Sequence, residues 1–203
     1  MSRIFQATVV GPARLRVDHG FGVFAERDVV LADGSSPLGP AGSIVLATAI
    51  HATSRRVTRI QVTTGVPTYL FLAKVVRVVD GDTLWVDVDL WDGTIFRAEI
   101  RVLGVNCPES HGPTASDAGR AAAAYTSSLL PAGKAIRIQT QRVNIHLAGH
   151  EEKVEVHGRF LSDVDLLDGG PSLGQRLIAS GHAAGYDGTG KAVDMFNLDG
   201  TLK

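Results

Sequence analysis

Four side chains suited to phosphate chemistry occur close together in the sequence. They are an aspartate after a turn, an arginine in an apolar run, and two oxygen-bearing residues that follow this run: Asp82, Arg101, Asn106 and Glu109. Carboxylate and amide oxygens are the ligands that hard cations such as Ca²⁺ prefer. A guanidinium group binds two phosphate oxygens at once. These residue types therefore predict a hard-cation site next to a group that holds phosphate.

Three apolar runs must bring these side chains together. The runs are Val75–Val79, Leu84–Leu90 and Ile95–Val105, and their period-2 alternation is typical of half-buried strands. The first two are joined by an Asp-Gly turn, which is a strong signal for a hairpin. If the three strands pair as antiparallel neighbours, the first turn lies beside the end of the third strand. We therefore expect Asp82 to lie near residues 106–109.

Each of the four side chains also has a purely structural interpretation. Asp82 is a residue type that hairpin turns favour, and Asn106 is suited to a left-handed turn. Glu109 follows a proline, as a solvated loop acid often does, and Arg101 is suited to the outer surface of a strand. The residues alone leave both interpretations open at every position.

The site residues belong to an ordered set of motifs that extends downstream. The set comprises DGDT at 80–83, RVLGVNCPE at 101–109, GRFL at 158–161, SL at 172–173 and YDG at 186–188. In this order the motifs resemble the staphylococcal nuclease (thermonuclease) family, and the resemblance covers residues 70–188. The chain is similar to phage-encoded versions of that family.

The resemblance implies a mainly β fold with α-helices (α+β), in which a five-stranded barrel of the oligonucleotide-binding (OB) type carries two helices. Local signals agree with this fold: they predict a helix from Thr114 or Ser116 to Leu130, strands within 134–147 and 154–167, and a short helix within 171–181. We expect a β-rich segment at 1–67, a nuclease-like domain at 68–188 and a tail at 189–203. No pattern for the family's long third helix is found in the tail.

The resemblance also implies a role for each residue that matches a family motif. Asp82 would bind calcium together with the backbone carbonyl of Cys107 and with Asn106, which stands where the family usually has an aspartate. Glu109 would be the general base that takes a proton from water. The remaining matches are Arg101 and Arg159, which would clamp the phosphate, and His157 and Tyr186, which would contact the nucleotide. The implied activity is calcium-dependent hydrolysis of single-stranded or flexible DNA or RNA, with little sequence preference and with 3′-phosphate products.

The segment 1–67 carries none of these motifs, yet it contains several strand-like runs. Short sequence motifs repeat there in the order found downstream. ATVV at 7–10 resembles AKVV at 73–76, RLRVD at 14–18 resembles TLWVD at 83–87, and PAGS at 40–43 resembles PAGK at 131–134. This order favours a degenerate half-copy of the barrel. The other interpretation is that β proteins share such short motifs by chance. The segment lacks the Asp-Gly-Asp turn and the Pro-Glu pair, so we expect it to be chemically inert.

The distribution of charge favours a second functional class. Residues 1–70 contain 7 basic and 4 acidic residues, whereas residues 71–203 contain 13 basic and 17 acidic residues. An acidic nuclease-like region would bind DNA weakly and with little electrostatic steering. This acidity and the asparagine at position 106 favour a non-catalytic module, for example a component of a phage particle that has other virion or assembly proteins as partners.

Cys107 is the one cysteine, so the chain has neither an internal disulfide nor a cysteine-based zinc site. We expect it to be a small buried apolar residue. No apolar run has the length of a signal-peptide core or a membrane span. We therefore expect no membrane partner and a cytoplasmic or virion-associated protein.

Overall fold

The computed structural model describes residues 4–29, 38–53, 56–65, 69–90, 94–140 and 160–186. The chain divides into two compact units, one drawn from residues 1–71 and 89–95 and the other from residues 72–88 and 96–203. Over the described ranges the chain forms twelve strands and two helices. Neither of these helices has the length and apolar character needed to cross a membrane.

The first unit contains a five-stranded antiparallel sheet. Its strands are β1 (Ile4–Gly11), β2 (Arg14–Asp18), β3 (Phe24–Asp28), β4 (Ile44–Thr53) and β5 (Arg56–Thr63), paired in the order β3-β2-β1-β4-β5. Every second residue along most of β1 is buried, because one face of the strand packs on the core. The core side chains are Phe5, Ala7, Val9, Leu15, Val17, Val29, Ala47 and Ile60.

A closed five-stranded barrel follows. Its strands are β6 (Leu70–Asp80), β7 (Thr83–Asp89), β8 (Ile95–Val102), β10 (Ala135–Thr140) and β11 (Phe160–Asp165), and the order around the barrel is β6-β7-β8-β11-β10. The short β9 (Val105–Asn106) pairs with β12 (Ala184–Gly185), and the helices are α1 (Asp117–Leu129) and α2 (Leu173–Ala179). This is the α+β fold with an OB-type barrel that the resemblance implies.

Closure of the barrel explains the alternating pattern of its strands. Leu84, Val86 and Val88 of β7 are buried, while the residues between them are partly exposed. Inward-facing side chains fill the interior of a barrel this small, and β-branched residues pack well on such a pleated surface. The sequence alternates with period 2 because successive residues of each strand lie on the inner and the outer face of one closed sheet.

The two units share one strand order. In the barrel, the first strand lies between the second and the fourth, and the third and fifth strands, β8 and β11, are parallel neighbours. In the first unit β1 likewise lies between β2 and β4, and a parallel bridge joins Val29, next to β3, to Ile60 of β5. The first unit thus repeats the whole strand order rather than half of it, with no helix among its described residues.

Matched backbone hydrogen bonds support this repeat. In the first unit, Val9 exchanges two such bonds with the pair Gly42-Ser43, both at 2.9 Å. In the second unit, Val75 exchanges two with the pair Gly133-Lys134, at 2.9 and 2.7 Å. Both glycines have positive φ, 94° and 83°, a conformation that glycine adopts without strain. The two glycines occupy the same position in the corresponding motifs PAGS and PAGK.

One element boundary differs from the sequence prediction, and for another the structure selects one of the two predicted residues. The run 95–105, predicted as one strand, divides into β8 and β9 because the chain turns before Val105, where Gly104 has a φ of 77°. Helix α1 is capped by Ser116 rather than Thr114, since the Ser116 hydroxyl accepts a hydrogen bond from the Gly119 N–H at 3.0 Å. The tail at 189–203 and residues 141–159, which include parts of two predicted strands, lie outside the described residues.

Helix α1 approaches the loop after β9 so closely that one helical position requires glycine. A Cβ atom at Gly119 would lie 2.0 Å from the carbonyl oxygen of Glu109. The backbone N–H of Ser116 donates to the same carbonyl oxygen at 3.0 Å. The start of the helix therefore holds the backbone of Glu109 in place.

We expect Gly119→Ala to lower the free energy of unfolding by about 1–3 kcal/mol, the usual cost of overpacking, although alanine stabilises most helix interiors. Denaturant unfolding measures the change. Gly185→Ala is the control, because a Cβ atom there meets no atom within 4 Å. A Gly119→Ala variant as stable as the wild type would contradict the close approach of helix and loop.

Candidate functional site

The turn between β6 and β7 buries Asp82, of which only 2% is exposed. The backbone carbonyl of Asp82 accepts a hydrogen bond from the Val102 N–H at 2.8 Å. Its carboxylate accepts hydrogen bonds from the Thr83 hydroxyl at 3.1 Å and from the Cys107 N–H at 2.8 Å. Asp82 is therefore a turn residue whose side chain also connects the hairpin to the chain after β9.

Arg101 completes the set of partners around this carboxylate. Its guanidinium donates to one carboxylate oxygen of Asp82 at 3.2 Å and forms an ion pair with the other at 3.1 Å. It also donates to the side-chain oxygen of Asn106 at 2.6 Å. Only 13% of the Arg101 side chain is exposed, so its interpretation as a surface residue is wrong. Asn106 lies in β9 and not in a left-handed turn. The structure thus brings three of the four predicted side chains into direct contact.

Burial and charge act in opposite directions on the pKa of Asp82. Loss of water around the carboxyl raises its pKa, and the positive charge of Arg101 is the strongest influence that lowers it, followed by the hydrogen bond from the Cys107 N–H. The net result is a pKa above the usual value of 3.8. A buried carboxylate is costly without such partners, so the ionised form of Asp82 depends on Arg101.

Glu109 lies next to this cluster, and the residue is exposed. Partial loss of water around its carboxyl, a hydrogen bond with the Asp80 side chain, and the negative charges of Asp80 and Asp82 raise its pKa from the usual 4.5 to about 7. Arg101 acts in the opposite direction. A carboxyl that titrates near neutral pH and is reachable from solvent is suited to general-base catalysis.

Asp80 is part of the site, although it is not among the residues predicted from the sequence. Its buried carboxylate accepts hydrogen bonds from the N–H groups of Gly81, at 3.2 Å, and Ser110, at 3.0 Å. The second bond fixes the loop next to Glu109 and keeps the two carboxyl groups together. A signal was present in the sequence: Asp80 and Asp82 flank a single glycine, and a hairpin turn places both at the same end of its strands.

Cys107 supports the site by its backbone and by its bulk. Burial above all, and then the negative charge of Asp82, raise the pKa of its thiol, which therefore stays protonated and unreactive. A Cβ atom at Gly81 would lie 2.7 Å from the Cys107 sulfur, so the side chain packs directly against the β6–β7 turn. The prediction that Cys107 is a small buried residue is confirmed.

One of the three other residues that the resemblance assigns to the site is described. Tyr186 follows β12, and its backbone N–H donates to the Gly104 carbonyl at 2.9 Å, beside the start of β9. It therefore lies close along the sheet to the strand that carries Asn106. Arg159 and His157 lie outside the described residues, and their roles stay predictions.

The donor set around Arg101 has the chemistry of a hard-cation site. Side-chain oxygens of Asp82 and Asn106 converge on one positive group, the guanidinium, and oxygen is the donor that calcium prefers. Only one of these two side chains is charged. Across the part of the chain that the structure describes, no three histidine, cysteine, aspartate or glutamate side chains are arranged to hold a metal ion. A cation here would have few charged ligands and would compete with Arg101 for the same oxygens.

The chain matches no model of a known protein family and no curated protein. The resemblance to the nuclease family therefore stays a prediction that rests on the order of the motifs. The barrel, the two helices and the contact between Asp82, Arg101 and Asn106 are consistent with it.

Loss of Arg101 is expected to destabilise the protein. Arg101→Gln leaves the buried Asp82 carboxylate without its cation, and breaking a buried pair in this way costs roughly 3–5 kcal/mol of unfolding free energy. Arg97→Gln is the matched control, because Arg97 makes two comparable hydrogen bonds to Asp87, at 2.9 and 3.0 Å, on the surface. Exposed pairs contribute little to stability. Chemical denaturation at neutral pH measures both variants, and equal losses would contradict the importance of burial at Asp82.

Proposed function

We propose that the protein hydrolyses phosphodiester bonds in single-stranded or flexible DNA or RNA, with little sequence preference and with the help of calcium. One observation carries the proposal: Asp82, Arg101 and Asn106 meet in one cluster, and Glu109 lies beside it with a raised pKa. The resemblance assigns these four residues to one site on motif grounds alone. An OB-type barrel adds support, since its groove commonly binds nucleic acid strands.

In this proposal Glu109 accepts the proton of the attacking water. A carboxyl with a pKa of about 7 is ionised in a large fraction of molecules at neutral pH, and it is more basic than an ordinary glutamate. Because Glu109 is exposed, water can reach its carboxyl. Asp80 contributes in two ways, since it raises the basicity of Glu109 and holds the adjoining loop through Ser110.

Arg101 provides positive charge for the phosphate. Attack on phosphorus places additional negative charge on the phosphate oxygens, and a guanidinium group stabilises this charge with directed hydrogen bonds. By resemblance, Arg159 would be the second such group. Calcium, when held by Asp82, Asn106 and the Cys107 carbonyl, would supply a Lewis acid that neutralises a phosphate oxygen and activates water.

A second candidate function is a non-catalytic nuclease-like module that binds nucleic acid or takes part in an assembly such as a phage particle. Two observations favour it. The Arg101 guanidinium already neutralises Asp82 and occupies the Asn106 oxygen, and residues 71–203 have 17 acidic against 13 basic residues. In such a module, the buried cluster would have only a structural role. Only the hydrolase needs Glu109 as a base, so this residue separates the two functions.

Hydrolysis of labelled single-stranded DNA is expected to require calcium and to stop when a chelator is added. Glu109→Gln should lower the rate about 10²–10⁴-fold, the usual contribution of a general base. The variant should still fold, because Glu109 is exposed. Glu26→Gln on β3 is the matched control and should keep the wild-type rate, because it removes an exposed carboxylate from the first unit.

The assay is run with calcium, with magnesium and with chelator, and fragment release is followed in each. A Glu109→Gln variant with the wild-type rate would show that another group takes the proton. If the wild-type protein releases no fragments with either metal, the non-catalytic module becomes the favoured function.

The rate should also depend on pH through Glu109. Because the pKa of this carboxyl is about 7, the rate is expected to rise as the pH increases through that value and the carboxyl loses its proton. Asp80→Asn removes a negative charge that helps to raise this pKa, while the asparagine oxygen still accepts a hydrogen bond from Ser110. The rise should therefore move to lower pH. A profile of kcat/KM against pH measures the shift, and an unchanged midpoint would exclude Glu109 as the titrating group.

A further inference from the structure

Helix α1 holds the β6–β7 turn through one buried hydroxyl. Thr126 has no exposed surface, and its hydroxyl donates to the carbonyl oxygen of Gly81 at 2.7 Å. Gly81 lies between Asp80 and Asp82, the two aspartates of the candidate site. Thr126 thus binds the backbone of the residue that lies between the two aspartates.

The turn is enclosed on both sides at this position. A Cβ atom at Gly81 would lie 2.8 Å from the Cβ atom of Ala122 and 2.7 Å from the sulfur of Cys107. Ala122 is one helical turn before Thr126, on the same side of α1. The backbone of Gly81 is therefore packed between the helix and Cys107. Within this enclosure, the Thr126 hydroxyl fixes the direction of the Gly81 carbonyl.

Packing alone does not require a hydroxyl at this position. Serine and threonine hydroxyls inside helices commonly bond to a carbonyl of the preceding turn, as the Ser127 hydroxyl does with Ala123 at 2.8 Å. The Thr126 hydroxyl is instead directed out of the helix, to a residue 45 positions away in the sequence. Valine has the same shape and would fill the same space.

We propose that Thr126 is a positioning residue of the candidate active site. By fixing the Gly81 carbonyl, its hydroxyl sets the backbone from which Asp80 and Asp82 extend. Asp80 is thereby kept against the loop of Glu109, and Asp82 against Arg101. The effect on rate rests on the proposed hydrolase function, whereas the effect on the turn is measurable without activity.

The test compares two variants of similar size. Thr126→Val keeps the shape and removes the donor, whereas Thr126→Ser keeps the donor. In an active enzyme, Thr126→Val should lower kcat about 10- to 100-fold with a smaller change in KM, the scale of loss that misplaced groups produce. Thr126→Ser should restore most of the rate. Ser127→Ala is the control, since it removes a hydroxyl from the same helix without touching the turn.

Hydrogen exchange of backbone amides supplies the readout that needs no activity. The N–H groups of Cys107 and Ser110 donate to Asp82 and Asp80, respectively, so their exchange reports whether the two carboxylates stay in place. In Thr126→Val, exchange at both amides should accelerate by about tenfold more than at the amide of Ile138 in the barrel core, because local opening is then favoured over global unfolding. Thr126→Ser and Ser127→Ala should leave both amides close to wild-type rates.

The two readouts separate the two proposals. If the wild-type protein does not hydrolyse DNA, the proposed function fails, and hydrogen exchange alone decides the inference on Thr126. Exchange at Cys107 and Ser110 that rises only as much as at Ile138 would overturn it, because Thr126 would then contribute to overall stability alone. An active Thr126→Val enzyme with unchanged kcat would overturn it as well. If Thr126→Val does not fold, Thr126→Ala is measured in the same way.

Discussion

The buried ion pair between Asp82 and Arg101 is the interaction on which the candidate site depends. Burial raises the pKa of the Asp82 carboxyl, and Arg101 is the strongest influence in the opposite direction. The pair joins the β6–β7 turn to β8, and the bond to Asn106 extends the contact to β9. A charge in the interior is costly when its partner is displaced. The positions of the turn and of these two strands are therefore tied to one pair of side chains.

The strand order of the barrel is not sufficient to build such a site. The first unit has the same order, and the Ala13 carbonyl accepts a hydrogen bond from the Val29 N–H at 2.9 Å, as the Asp82 carbonyl does from Val102. Ala13 thus occupies the position of Asp82 and brings no carboxylate. Nor do the described residues of that unit include a helix to hold this turn. Among the described residues, the acidic turn and α1 are the features of the second unit that act on this turn.

Local rules explain why much of the fold and the central cluster were predicted from the sequence. Period-2 alternation identified β6 and β7, the Asp-Gly turn fixed their hairpin, and the antiparallel path of the chain predicted that Asp82 lies near Asn106. The contacts that were missed join residues far apart in the sequence. The link between Asp80 and Glu109 depends on how the loop after β9 folds back, and the bond from Thr126 to Gly81 spans 45 residues. Neither contact leaves a periodic signal in the sequence.

In the proposed function, Asn106 affects two properties of the site: the stability of the metal-free protein and the affinity for a cation. An aspartate at this position would add a second negative charge beside Asp82, and two close carboxylates repel each other when no cation neutralises both. Arg101 already neutralises Asp82, and its bond to the Asn106 oxygen at 2.6 Å needs no further charge. The asparagine therefore suits a site that is stable without metal. The same asparagine would weaken the attraction for calcium in the proposed function, because affinity increases with the number of charged ligands. In the proposed function, the residue at position 106 would thus favour either a cluster that is stable without metal or one that binds a cation more tightly.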